Sequence, residues 1–96
     1  MGRLDELKKK REAIYEIARK RRVKKLYVFG STVRREDTPG SDVDFLAEFL
    51  PKASLFDLIA LRDDLQDLLA CSVDVVSRSG IHPLLKDRIL KDAQEL

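Results

Sequence analysis

Two aspartates one residue apart, Asp42 and Asp44, are the first feature of this chain that chemistry could use. Alternate residues of an extended strand point to the same side, so both carboxylates project from one face, with Cα atoms roughly 7 Å apart. Carboxylates are poor strand formers, and here they alternate with Val43 and Phe45. Such a pair is either wet on an exposed face or shares a hard cation. Mg²⁺ suits it, because that ion takes one or two carboxylates and completes its shell with substrate phosphates. Asp74 is the third carboxylate, set within Val73-Asp74-Val75-Val76. An unpaired buried charge there would be costly, so Asp74 must face solvent or a partner. If its strand lies beside that of Asp42 and Asp44, the three can surround one or two metal ions. Two ions can stabilise both the attacking and the leaving oxygen of an in-line displacement.

Phe29-Gly30-Ser31 offers the complement, an anion site. Gly lets backbone approach a ligand closely, and the N–H groups that open a following helix favour an anion. Ser31 adds a hydroxyl donor. Many Gly-Ser pairs after a strand are only a turn and a cap. Beside three carboxylates, however, this one completes the outline of a phosphoryl-transfer site.

These residues need elements to hold them. Leu4, Leu7, Ile14, Ile17 and Ala18 recur at helical spacing and predict an amphipathic helix from about Arg3 to Arg22. Leu26 to Phe29 reads as a buried strand stopped by Gly30, and Ser31 can cap a short helix through about Glu36. Thr38 to Ser41 is turn chemistry, and Asp42 to Phe49 is the second strand, ended by Pro51. On that strand Val43, Phe45, Ala47 and Phe49 share one face, and Asp42, Asp44, Leu46 and Glu48 the other. Ser54 and Asp57 resemble a capping box for a helix reaching about Ala70, with an apolar stripe from Leu55 to Leu69. Ser72 to Ser77 is the third strand, and Pro83 suits the first turn of a last helix running to near Leu96. Helices alternating with strands predict an α/β or α+β fold, a small central sheet covered by helices.

Ninety-six residues fit one domain, 1–96, and 44% hydrophobic content supports a modest core. No stretch approaches the roughly 20 apolar residues of a membrane span, and the first residues hold no apolar signal-peptide core. A cytoplasmic protein with no membrane partner is expected. Cys71 is the single cysteine, so neither an internal disulfide nor a Cys-rich zinc site is available. Net charge is +2, yet residues 1–25 carry eleven Lys/Arg against four Asp/Glu, and the remainder eight against thirteen. The basic segment reads as a solvated helix face or as an anion contact. Nucleic acid is the less favoured partner, since no aromatics interleave with the basic residues to stack on bases.

Gly30-Ser31, ten intervening residues and then Asp42-Val43-Asp44 match the G-S-x10-D-x-D signature of the polymerase-β-like nucleotidyltransferases. Nearly all of the chain resembles their minimal members, the MNT proteins found as antitoxins beside HEPN-domain toxins. The resemblance implies the polymerase-β-like fold, a small mixed sheet of three to four strands covered by helices. It implies that Gly30 and Ser31 hold a nucleoside triphosphate, that Asp42 and Asp44 ligate Mg²⁺, and that Asp74 completes the metal site and helps deprotonate the acceptor. Arg34 matches an arginine that commonly follows the Gly-Ser and could reach a phosphate oxygen; Arg35 stands where relatives more often have Gly. The implied activity is transfer of AMP from ATP to a tyrosine hydroxyl of a cognate HEPN toxin, with release of pyrophosphate. Occlusion of the partner without catalysis, or transfer to a nucleic-acid or small-molecule hydroxyl, are the alternatives, and a homo-oligomer is left open.

Other polar residues read as structural. His82 precedes Pro83 and suits a cap, Tyr15 and Tyr27 suit the core or its rim, and Cys71 reads as a small buried hydrophobe. Glu48 shares the aspartate face two pleats beyond Asp44, and is placed behind the site.

Overall fold

A computed structural model describes residues 3–33 and 42–96, without the side chains of Arg3 and Ser31. The order is α1 (Arg3–Lys9), α2 (Arg11–Lys20), β1 (Val23–Phe29), a 3₁₀ turn (Gly30–Thr32), β2 (Val43–Phe49), α3 (Leu55–Leu69), β3 (Val73–Ser77), a second 3₁₀ turn (Arg78–Gly80), α4 (Pro83–Asp92) and β4 (Gln94–Glu95). The four strands form one mixed sheet in the order β3-β2-β1-β4. β1 is antiparallel to both of its neighbours, whereas β2 and β3 run parallel. The parallel pair needs a crossover, which α3 supplies.

Period-two burial sorts each strand. Val43, Phe45 and Ala47 of β2 are buried with Leu26 and Val28 of β1 beneath Leu7, Ile14, Ala18, Leu61 and Leu65. Leu46 points to the other face and is also fully buried, so the sheet is apolar on both sides at its centre. α4 contacts β1 and is the helix left to cover that second face. No helix among the described residues is long and apolar enough to cross a membrane.

Three local features depart from the sequence reading. The leading helix is broken at Lys10, whose φ of −97° and ψ of 11° leave the helical region. Lys8 to Arg11 place four cations in succession there, and like charges one turn apart weaken a helix. At the other end, α4 stops at Asp92, and Gln94 and Glu95 pair with Val28 and Tyr27. With no Gly or Pro after Pro83, nothing in the sequence marked that stop. The outer edge of β1 competes with the helix for these backbone groups, and the pairing carries Leu96 into the core. Finally, the apolar stripe of α3 is wider than its buried face: Leu61 and Leu65 are buried, but Leu55 and Ile59 are exposed.

Two of the three predicted caps are in place; the 3₁₀ turn is entered from Phe29 with Ser31 inside it, and the rest of the short helix expected through Glu36 lies outside the described residues. Ser54 N–H donates to Asp57 Oδ2 at 3.0 Å in the capping box that opens α3. His82 Nδ1 accepts from Leu84 N–H at 3.2 Å at the start of α4. Cys71 is half-buried against the core, as is Tyr15, whose hydroxyl donates to the Leu26 carbonyl at 3.3 Å.

Candidate active site

Phe29 and Asp44 are register partners across β1 and β2, and Asp44 and Asp74 across β2 and β3. The three residues form one row across the sheet. Adjacent strands lie about 4.8 Å apart, so the two carboxylates on the parallel pair are brought together by hydrogen-bond register alone. Two further bonds hold this end in place. Val43 N–H donates to the Ser72 carbonyl at 3.0 Å, and Val73 N–H to Gln66 Oε1 of α3 at 3.1 Å. Asp42 and Ser72, just ahead of β2 and β3, are therefore fixed side by side.

Gly30 follows Phe29 with a φ of +79°. A Cβ at this position would lie 2.6 Å from Asp44 Oδ2. Both the backbone conformation and the space thus require glycine, and the turn after β1 meets the carboxylate of β2 directly. Ser31 lies in the 3₁₀ turn that Gly30 opens. Arg34 lies outside the described residues. Asp42 and Asp74 are exposed, while Asp44 is half-buried.

The donors present are hard carboxylate oxygens beside the tight turn that Gly30 opens, and this donor set fits Mg²⁺. Among the described residues, no three His, Cys, Asp or Glu side chains are gathered into a metal cage.

Glu48, on the same face, is engaged elsewhere, with Arg78 Nη1 3.5 Å from its Oε2. Sequence reading passed over Phe29 as a flank of Asp44. An extra residue in β1 between Val23 and Lys25 shifts the pairing, and such a bulge has no reliable sequence signal. It also passed over Thr32, which is buried within the turn itself.

A family model described as a nucleotidyltransferase domain matches residues 6–96. The chain belongs to that nucleotidyltransferase family. A Methanocaldococcus jannaschii protein provisionally named a protein adenylyltransferase is 43% identical over 93 residues, covering 97% of each chain. Protein adenylyltransferase MntA of Thermococcus cleftensis is 37% identical over 70 residues, 73% of this chain and 71% of its own. Among solved structures, one provisionally described as a minimal nucleotidyltransferase superposes with a TM-score of 0.87 at 34% identity, covering 100% of this chain and 97% of the other. A toxin–antitoxin structure with AMP-PNP gives 0.76 at 19% identity, covering 88% and 69%. A Shewanella oneidensis complex of a tri-AMPylated HEPN toxin with an MNT antitoxin gives 0.67 at 17%, covering 88% and 66%. The last two are likenesses of fold. This nucleotidyltransferase thus has the mixed α/β architecture expected of a minimal member.

Proposed function

We propose that the protein transfers AMP from ATP to a tyrosine hydroxyl of a cognate HEPN-domain toxin in the cytoplasm, and so acts as an antitoxin. One relative is named a protein adenylyltransferase and another is provisionally so named, and a protein of the same fold accompanies an AMP-bearing HEPN toxin; both facts support the reading. The observation that carries it is the contact of Gly30 with Asp44, with Asp74 alongside. An anion-accepting turn and a pair of carboxylates share one end of one sheet.

In this reading the backbone at Gly30 and Ser31, with the Ser31 hydroxyl and Arg34, holds the triphosphate. Asp42, Asp44 and Asp74 hold one or two Mg²⁺ ions, which when bound supply neutralising charge for the triphosphate and the leaving oxygen. Asp74, exposed at the edge strand of the row, is the carboxylate an acceptor from solution can reach. It takes the hydroxyl proton as the acceptor oxygen bonds to the α-phosphorus. The bond from that phosphorus to the bridging oxygen breaks, and pyrophosphate leaves with the oxygen.

The test is incubation with ATP labelled on the α-phosphate, Mg²⁺ and a HEPN-domain protein from the same genome. Wild type labels the toxin, and Asp44→Asn does not. Equal labelling by both removes the catalytic assignment and leaves occlusion.

A further inference from the structure

We propose that the end of the sheet remote from Asp44 and Asp74 is a docking surface for an acidic, amphipathic helix of a partner protein. The proposal rests on the antitoxin reading above and says where such a partner is held. Phe49 stands five positions beyond Asp44 along β2, so this end lies about 16 Å from the carboxylates. β2 and β3 both finish here, and α3 and α4 both begin here.

The sequence spends large apolar residues at this end that the fold does not bury. Leu55 is 70% exposed, Phe56 82% and Leu84 85%, with Leu50 and Leu85 also exposed. These side chains are not on loose loops. Leu55 and Phe56 stand in the first turn of α3, fixed by the Ser54–Asp57 capping box, and Leu84 in the first turn of α4, fixed by the His82 cap. A hollow of about 490 Å³ opens among Phe49, Pro51, Leu55, Leu58, Ser77 and Ser79. A neighbouring one of about 450 Å³ lies over Leu50 and Pro51. Leu55 lines the first hollow and Leu50 both, and Phe56 stands in the same helical turn as Leu55; such an apolar lining suits the apolar stripe of a helix, read at positions i, i+3, i+4 and i+7.

Charge selects the occupant. Arg22 and Lys52 flank Leu50 and Pro51, and Arg78 and Lys86 border the adjoining hollow of about 340 Å³. Glu48 is the anion lining that hollow, and Arg78 faces it at 3.5 Å. The lining is therefore cationic around an apolar centre, complementary to a helix with carboxylates beside its apolar stripe. A second copy of this chain would bring two cationic rims together. RNA would meet only Phe56 and the half-buried Phe49 among aliphatic side chains that cannot stack on bases.

The experiment uses the full chain and the HEPN-domain protein of the labelling test, with the complex measured by calorimetry. Phe56→Glu and Leu84→Glu place a carboxylate in a first helical turn, where it is tolerated, and both variants are expected to melt like wild type. Each is expected to weaken the complex on the order of 10- to 100-fold, as for an anchor at an interface centre. Lys52→Glu weakens it less and reduces its salt dependence. Equal binding by wild type and Phe56→Glu, with wild type still labelling the toxin, overturns this proposal alone. A wild type that neither binds nor labels the toxin overturns the antitoxin reading, and this proposal with it. A wild-type dimer dissolved by Phe56→Glu, or saturable, salt-steep binding of a single-stranded RNA lost in that variant, assigns the surface to those occupants and overturns the acidic helix.

Discussion

Gly30 presses so closely on Asp44 that a Cβ at position 30 would stand 2.6 Å from the carboxylate oxygen Oδ2. The turn that leaves β1 and the carboxylate of β2 are therefore one construction, although 13 residues separate them in sequence. A positive φ of 79° adds a second, independent demand for glycine.

Gly30→Ala tests that construction. The left-handed conformation costs a non-glycine residue about 1–2 kcal/mol, and the new methyl must displace the Asp44 side chain. The melting temperature is expected to fall several degrees, since 1 kcal/mol corresponds to about 4–8 °C in a domain of this size. Transfer of AMP is expected to fall further, on the order of 100-fold, because a carboxylate moved by about 1 Å misplaces whatever it holds. Thermal melting and toxin labelling, measured on one preparation, separate the two effects. A variant that melts lower yet labels at the wild-type rate removes Asp44 from the site.

Thr32 sits two residues further along the same turn, 1% exposed, and its hydroxyl finds no hydrogen-bond partner among the described residues. An unmet buried hydroxyl costs about 1–3 kcal/mol, whereas an apolar group of the same shape does not. Thr32→Val is therefore expected to raise the melting temperature by several degrees. Thr32→Ser keeps the hydroxyl, loses the methyl and is expected to lower it. A fall with valine would mean that the hydroxyl is satisfied in solution.

Ser54→Ala addresses the remote end. Loss of the cap costs about 1 kcal/mol, which is expected as a drop of about 4–8 °C in thermal melting. Since Ser54 lies at the end of the sheet away from Asp44, AMP transfer at saturating toxin, below the melting range, is expected to be unchanged. A drop in transfer without a drop in stability would show that the two ends of the sheet communicate.

What could be read in advance follows from what is local. Asp42 and Asp44 share a strand, Ser54 and Asp57 share a helical turn, and His82 adjoins Pro83; each signal spans a few residues. The strand around Asp74 was legible from its β-branched run, and a motif of fixed spacing joined Gly30 to Asp42. The match of Asp44 with Asp74 is set by parallel pairing across the α3 crossover, which no short pattern encodes. The same holds for Phe29 beside Asp44, where a bulge in β1 resets the parity. Leu55 and Ile59 read as core because periodicity marks an apolar stripe without saying how much of it a sheet can cover. Gln94 and Glu95 were drawn into a strand by the open edge of β1, a long-range competitor absent from any helical window.

Asp74→Asn separates the needs of the site from those of the fold. Asp44 and Asp74 face each other across β2 and β3, and two like charges at that spacing repel by about 1 kcal/mol in a water-like medium. Asp74 is exposed, so its neutralisation leaves no buried group unmet. Without divalent metal, Asp74→Asn is expected to melt slightly above wild type, by a few degrees at most. With Mg²⁺ and ATP the order is expected to reverse, because a ligand that binds only the folded state stabilises it in proportion to its affinity, and the variant binds less. Toxin labelling is expected to fall on the order of 100- to 1,000-fold, matching several kcal/mol of lost charge stabilisation. Melting with EDTA and with saturating Mg-ATP, beside the labelling rate, checks all three. A variant stabilised by Mg-ATP as strongly as wild type removes Asp74 from the metal set, whatever its labelling rate.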